Sequence, residues 1–117
     1  MNKLKERVTY HSGRWVPESK ASIHIYDSQF MYGDGVFEMA RTLNRKFFLL
    51  EEHVDRLLRS MRYLKIPINK SRQEVLDLCL EAFELNKDHF PQGDECRIMI
   101  NVSRGPLAIY REVFELA

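Results

Sequence analysis

The chain has 117 residues, enough for one compact domain. It is 44% apolar and 30% charged, which fits a globular domain and excludes a disordered segment. A net charge of +1 supplies no field for nucleic acid or an anionic membrane, so neither is expected as a partner. No run is long enough to span a bilayer, and no apolar stretch after the N-terminal lysines could act as a signal peptide, so a cytoplasmic location is the expectation.

Residues 8–16, VTYHSGRWV, predict a hairpin turning at Ser12 and Gly13 and ended by Pro17. Residues 21–27, ASIHIYD, alternate apolar and polar side chains and predict a further strand. YGDGVFEMAR, residues 32–41, places two glycines around an aspartate before a strand over 36–43. Because the glycines precede a strand, they are neither a dinucleotide-binding fingerprint nor a phosphate loop. Asn44-Arg45 predicts a tight turn, with KFFLL, residues 46–50, returning.

Helical periodicity follows. Val54, Leu57, Leu58, Met61 and Leu64 form one apolar stripe of an amphipathic helix that Pro67 stops. Ser71 and Glu74 form a capping box. The second helix runs through Val75, Leu78, Cys79, Ala82 and Phe83 to about Asn86. Pro91 and Gly93 mark a loop, and CRIMINVS, residues 96–103, predicts a last strand broken by Arg104-Gly105-Pro106. The end of the chain is apolar without a clear stop. Strands, two helices and a strand predict an α+β fold, an antiparallel sheet with two helices packed on one face.

Chemistry-bearing residues are sparse. Cys79 and Cys96 sit in no CxxC or Cys/His spacing, which favours buried thiols over a metal site. The four histidines are scattered and form no HExxH pattern. In the strand over 36–43, Phe37, Met39, Arg41 and Leu43 share one side and Val36, Glu38, Ala40 and Thr42 the other. One charge among apolar residues on each side predicts that both faces are partly covered. Glu38 and Arg41 either form salt bridges at the sheet edge or serve a site. Arg56 lies well over 90° from its helix's apolar stripe, with His53 and Ser60 nearby, and is either solvated or aimed at a phosphate or carboxylate. Arg97 shares a face with Met99 and Asn101, opposite Ile98, Ile100 and Val102. Arginines 41, 56 and 97 thus all point off the domain's own core, toward water or an anion.

Residues 27–68 resemble the N-terminal domain of the class IV (fold-type IV) pyridoxal-phosphate aminotransferases. That family includes branched-chain and D-amino-acid aminotransferases and aminodeoxychorismate lyase. The matching features are Asp27, GDGVFE at 33–38, Arg41 and HVDRL at 53–57, in order and spacing. YHSGRWVPESKASI and INVSRG, at 100–105, are similar to the same family.

The resemblance implies pyridoxal 5'-phosphate as cofactor, with its phosphate on Arg56. It implies a substrate pocket lined by Phe37, with Met39 and Arg41 facing it and Tyr32 approaching it. Arg97 sits where some branched-chain enzymes hold a substrate carboxylate. The substrates implied are a small amino acid and a 2-oxo acid, and the assembly a homodimer. Branched-chain members often carry glycine where Met39 stands, and SRGPLAIYRE lacks the closely following arginine of the D-amino-acid and lyase groups. The substrate, a small and branched-chain amino acid or another, stays open, and so does the choice of transaminase or lyase. In the family the Schiff-base lysine lies in a second, C-terminal domain, and none of the seven lysines here matches its context. Residues 1–117 are therefore expected to be the N-terminal small domain without its lysine-bearing partner, inactive alone. A non-catalytic module that binds another chain is the alternative.

Overall fold

A computed structural model describes residues 6–110. The apolar end of the chain at 111–117, and Lys3 and Lys5, lie outside the described residues. Strands β1 (Val8–His11) and β2 (Arg14–Pro17) form the expected hairpin, with Ser12 and Gly13 both at positive φ. A short helix α1 (Ser28–Tyr32) precedes the long strand β3 (Gly35–Leu43). Strand β4 (Lys46–Phe47) leads into helix α2 (Leu50–Tyr63), then helix α3 (Arg72–Asn86) and strand β5 (Arg97–Ser103). The three-stranded sheet has the order β4-β3-β5, antiparallel throughout. The fold is the α+β arrangement that the pattern predicts.

The sheet and α2 meet through alternate residues. Ala40 of β3 packs with Leu50, Val54, Leu57 and Met61 of α2 and Val75, Leu76 and Cys79 of α3. Ile98, Ile100 and Val102 of β5 lie against the same cluster. Ser71 caps α3 as the sequence indicates, its hydroxyl accepting from the Glu74 amide while the Glu74 carboxylate accepts from the Ser71 amide. Asn86 at the end of α3 holds the hairpin, accepting from the Val8 amide at 2.8 Å and donating to the Val8 carbonyl at 2.9 Å. Both cysteines are buried and free, and burial pushes the Cys79 thiol up to about 11, so it stays protonated.

Four expectations need correction. Residues 21–26 are not a strand, because no neighbouring strand pairs with them among the described residues. The Asp27 amide turns back to the His24 carbonyl, and Asp27 alone bridges to Pro106. The return after Asn44-Arg45 is two residues long, since Leu49 takes a left-handed φ of 58° and swings the chain into α2. Helix α2 ends at Tyr63 rather than at Pro67, because Lys65 at φ 58° has already broken it. Lastly, the predicted cover on both faces of β3 is found on one: Phe37, Met39 and Leu43 are exposed while Glu38, Ala40 and Thr42 are buried.

Helix α1 was not foreseen, and it explains the glycines. Asp27 caps it by accepting from the Gln29 amide, and Gly33 ends it at φ 72°. Gly35 is needed for a different reason. A Cβ there would lie 2.5 Å from Gln29 Cδ and 2.7 Å from the Val102 carbonyl oxygen. Gln29 can swing aside, but the Val102 carbonyl belongs to the β3–β5 ladder. We expect Gly35→Ala to destabilise the domain by about 1–3 kcal/mol, read as a shift in the midpoint of urea unfolding with an unchanged slope.

Candidate functional site

Two clusters of polar side chains gather around β3, one on each face. On the helix-facing side Glu38 is buried, its side chain 7% exposed. Its carboxylate is met by one turn of α2, since residues three apart on a helix share a face. Arg56 donates from Nε to Oε2 at 2.6 Å and from Nη2 to Oε1 at 2.9 Å. His53 places Nδ1 2.9 Å from the same Oε1, where the ring N–H donates to the carboxylate. The Arg56 hydrogen bonds hold the Glu38 carboxyl below the usual carboxylate range, with His53 adding to them against the opposing effect of burial. The same pairing raises Arg56 further above its ordinary value.

The sequence reading placed Arg56 off the apolar stripe, and its side chain is 59% exposed. It missed the partner. Arg56 reaches back to a carboxylate on the inner face of the central strand, so Glu38 pairs inside the sheet and not at its edge. Arg41 pairs differently again: its Nε donates to the Thr42 carbonyl at 3.4 Å. The spacing of Glu38 and Arg56, 18 residues across a turn and a helix, offers no periodic signal; the buried-side position of Glu38 on β3 was the available clue.

On the outer face β3 and β5 align Phe37 with Asn101, Met39 with Met99, and Arg41 with Arg97. The structure therefore brings Phe37, Met39, Arg41 and Arg97 together on one exposed wall: alternation predicts the shared side within each strand, and the β3–β5 register joins the two. Arg56 is not on that wall; it meets β3 from the other face. Tyr32 is exposed at the last position of α1, and the loop it enters is tied to the wall. Gln29 Nε2 donates to Asn101 Oδ1 at 2.7 Å, Ser103 Oγ to Asp27 Oδ1 at 2.6 Å, and Arg104 Nε to Asp34 Oδ2 at 2.5 Å. Arg104 also donates to the Leu64 and Lys65 carbonyls just past α2.

Glu95 is a second residue that the sequence reading missed. It accepts from Thr42 Oγ1 at 2.6 Å and from the Asn44 and Arg45 amides at 2.7 and 3.1 Å. Those hydrogen bonds hold its carboxyl low, and the charge of Arg41 contributes. A turn with two positive φ values leaves amides that need an acceptor, and an acid just before β5 was the signal for it. A cavity of about 600 Å³ lies between β1, α3 and β5, lined by Thr9, Cys79, Phe83 and Ile98. Glu38, Arg56 and Phe37 do not line it, whereas Arg97, Met99 and Asn101 of β5 do, so it lies apart from the Glu38 cluster and reaches β5 of the outer wall.

The sequence model of the family described as "Amino-transferase class IV" matches residues 35–115. The chain belongs to the class IV aminotransferases. Aminodeoxychorismate lyase of Bacillus subtilis is 35% identical over 82% of this chain and 32% of its own length. D-alanine aminotransferase of Staphylococcus aureus strain N315 is 32% identical over 80% of the chain and 32% of its own length. Among solved structures, the branched-chain aminotransferase of Thermoproteus uzoniensis, determined with norvaline, superposes with a TM-score of 0.70 at 25% identity, over 82% of this chain and 33% of that one. This class IV aminotransferase chain thus spans about a third of the length of these relatives. Their different activities leave the substrate to be argued from the site.

The depressed carboxyl of Glu38 has a pH consequence. Its contribution to stability is complete above the ordinary carboxylate value of 4.5 and is lost as pH falls through the lower folded value. We expect the stability difference between wild type and Glu38→Gln, measured by denaturant unfolding, to be largest near neutral pH and to shrink steadily below pH 4.5.

Proposed function

We propose that this chain is the N-terminal domain of a pyridoxal-phosphate aminotransferase that moves an amino group between a small amino acid and a 2-oxo acid. The observation that carries this reading is the state of Arg56. Its guanidinium is held at one edge by a buried carboxylate and is exposed at the other. A planar cation with an open pair of N–H donors suits a phosphate ester, so the donor set fits the cofactor of the family. When bound, the cofactor supplies the electron sink that lets a bond to the amino acid's Cα break. The reading assigns the reactive lysine to a region outside residues 1–117, so these residues alone are inactive.

The substrate wall follows from β3 and β5. Like charges directly opposite each other on a strand pair repel, and Arg41 and Arg97 are opposite each other. Glu95 offsets part of this at the Arg41 end. A substrate carboxylate across the pair offsets the rest. Phe37, Met39 and Met99 beside it suit an apolar side chain, and the bulk of Met39 favours a short one, so a small apolar amino acid is the substrate we assign, with a branched-chain one the larger alternative that Met39 crowds. Tyr32 approaches the same side from the last position of α1. The wall is exposed in this domain and calls for a lysine-bearing C-terminal domain to cover it.

Homodimeric assembly and a cytoplasmic location belong to the same reading and rest on the sequence expectations; among the described residues no helix is long and apolar enough to cross a membrane. A lyase using the same cofactor is the second reading, favoured by the Bacillus subtilis relative.

Two measurements on the full-length protein test the assignment. Arg56→Ala is expected to weaken binding of pyridoxal 5'-phosphate by about tenfold or more while leaving pyridoxal, which lacks the phosphate, unaffected. An unchanged preference between the two would remove Arg56 from the cofactor site. Arg97→Ala is expected to raise KM for the amino acid about tenfold with a smaller change in kcat. An unchanged KM would take the outer arginine pair out of substrate binding.

A further inference from the structure

Arg56 does not use its donors evenly. A guanidinium has a side edge, Nε with Nη2, and an end edge, Nη1 with Nη2. Glu38 occupies the side edge through both of its oxygens. Among the described residues Nη1 has no hydrogen-bond partner, and the side chain is 59% exposed. The end edge is therefore the part of Arg56 that faces outward.

Glu38 is built as a fixed post. It sits in β3, where its backbone pairs with Ile100 of β5, and its side chain is buried. His53 makes a third contact, to Oε1, which sets the plane of the carboxylate. An arginine side chain has four rotatable bonds and loses that freedom whenever it must point at one place. Here the freedom is already lost before any ligand arrives.

We propose that Glu38 is a positioning residue, holding Arg56 by its side edge so that the end edge is presented to the phosphate ester. This rests on the reading that Arg56 meets the cofactor phosphate. The opposite expectation follows from charge alone. Glu38 cancels the positive charge of Arg56, so removing its charge strengthens anion binding if charge is all that matters. Positioning predicts weakening. The two accounts differ in sign, and one substitution separates them.

The test uses the full-length protein and two probes, pyridoxal 5'-phosphate and pyridoxal, titrated by absorbance. Glu38→Gln breaks the two-oxygen grip while keeping the size of the side chain. The expected result is about tenfold weaker binding of the phosphate form with pyridoxal unchanged, a loss no greater than that of Arg56→Ala. The double variant is expected to match Arg56→Ala alone, since the two residues act as one unit. If Glu38→Gln binds the phosphate form as tightly as wild type or tighter, while Arg56→Ala weakens it, the positioning role is overturned and the phosphate reading stands. If Arg56→Ala changes nothing, the phosphate reading falls and this inference with it. A loss that is equal for both probes indicates general structural damage and overturns the proposal. Should Glu38→Gln fail to unfold cooperatively, Glu38→Asp gives the same comparison. Its shortened carboxylate is expected to weaken the phosphate form by an intermediate factor, and wild-type affinity there would also overturn the proposal.

Discussion

A carboxylate buried between a sheet and a helix must be answered by hydrogen-bond donors, because an unpaired charge there carries a large desolvation cost. Glu38 is answered by His53 and Arg56, three residues apart on α2. This requirement constrains more than one side chain. It fixes which face of α2 turns toward β3, since His53 and Arg56 must flank the sheet while Val54, Leu57 and Met61 enter the core. It also fixes the register of β3 against the helix, since a slip by one residue would carry Glu38 to the outer face and Phe37 into the core.

Two faces of one strand then take different work. The inner face of β3 combines a core contact, Ala40, with the buried polar groups Glu38 and Thr42. Each polar group is satisfied by a residue distant in sequence, Glu38 by α2 and Thr42 by Glu95 and the Cys96 backbone. The outer face is open and carries Phe37, Met39 and Arg41. Strand alternation alone produces this division. It is why a stretch of seven residues, 36–42, can contribute both to the support of Arg56 and to an exposed outer wall.

The legible parts of the sequence were those where one physical signal dominates. The apolar stripe of α2, the Ser71–Glu74 capping box and the positive-φ turns at Ser12-Gly13 and Asn44-Arg45 each follow from local chemistry, and each is present. The parts that misled depend on neighbours. Ile23 and Ile25 alternate as in a strand, yet both are exposed and no strand lies beside them among the described residues. Five residues of α1 are too few for helical periodicity to show, so only its caps, Asp27 and Gly33, could have revealed it. Arg56 was legible as outward-facing, but its bond to Glu38 joins elements 18 residues apart and has no signature in spacing. Arg41 and Arg97 were legible as sharing a direction; that they stand opposite each other required the register of β3 and β5.

That register bears on how the two clusters relate. Arg41 and Arg97 form a pair of cations, partly offset by Glu95, at one end of the β3–β5 ladder, while Phe37 and Asn101 sit toward the other end, beside the segment tied down by Gln29 and Asp27. A ligand lying along the wall would run from charge to apolar surface in the direction of α1. Arg56, on the opposite face, is level with Glu38, one residue from Phe37 in the strand. The Glu38–Arg56 pair and the apolar end of the wall are therefore close along the chain but separated by the thickness of the sheet. Asp27 and Asp34, on either side of α1, are held by Ser103 and Arg104 at the Gly35 end of the β3–β5 ladder. The two glycines act differently: Gly33 ends α1 at φ 72°, and Gly35 leaves room for the Val102 carbonyl, so the chain passes from α1 into β3 with Glu38 on its inner face and Phe37 on its outer one.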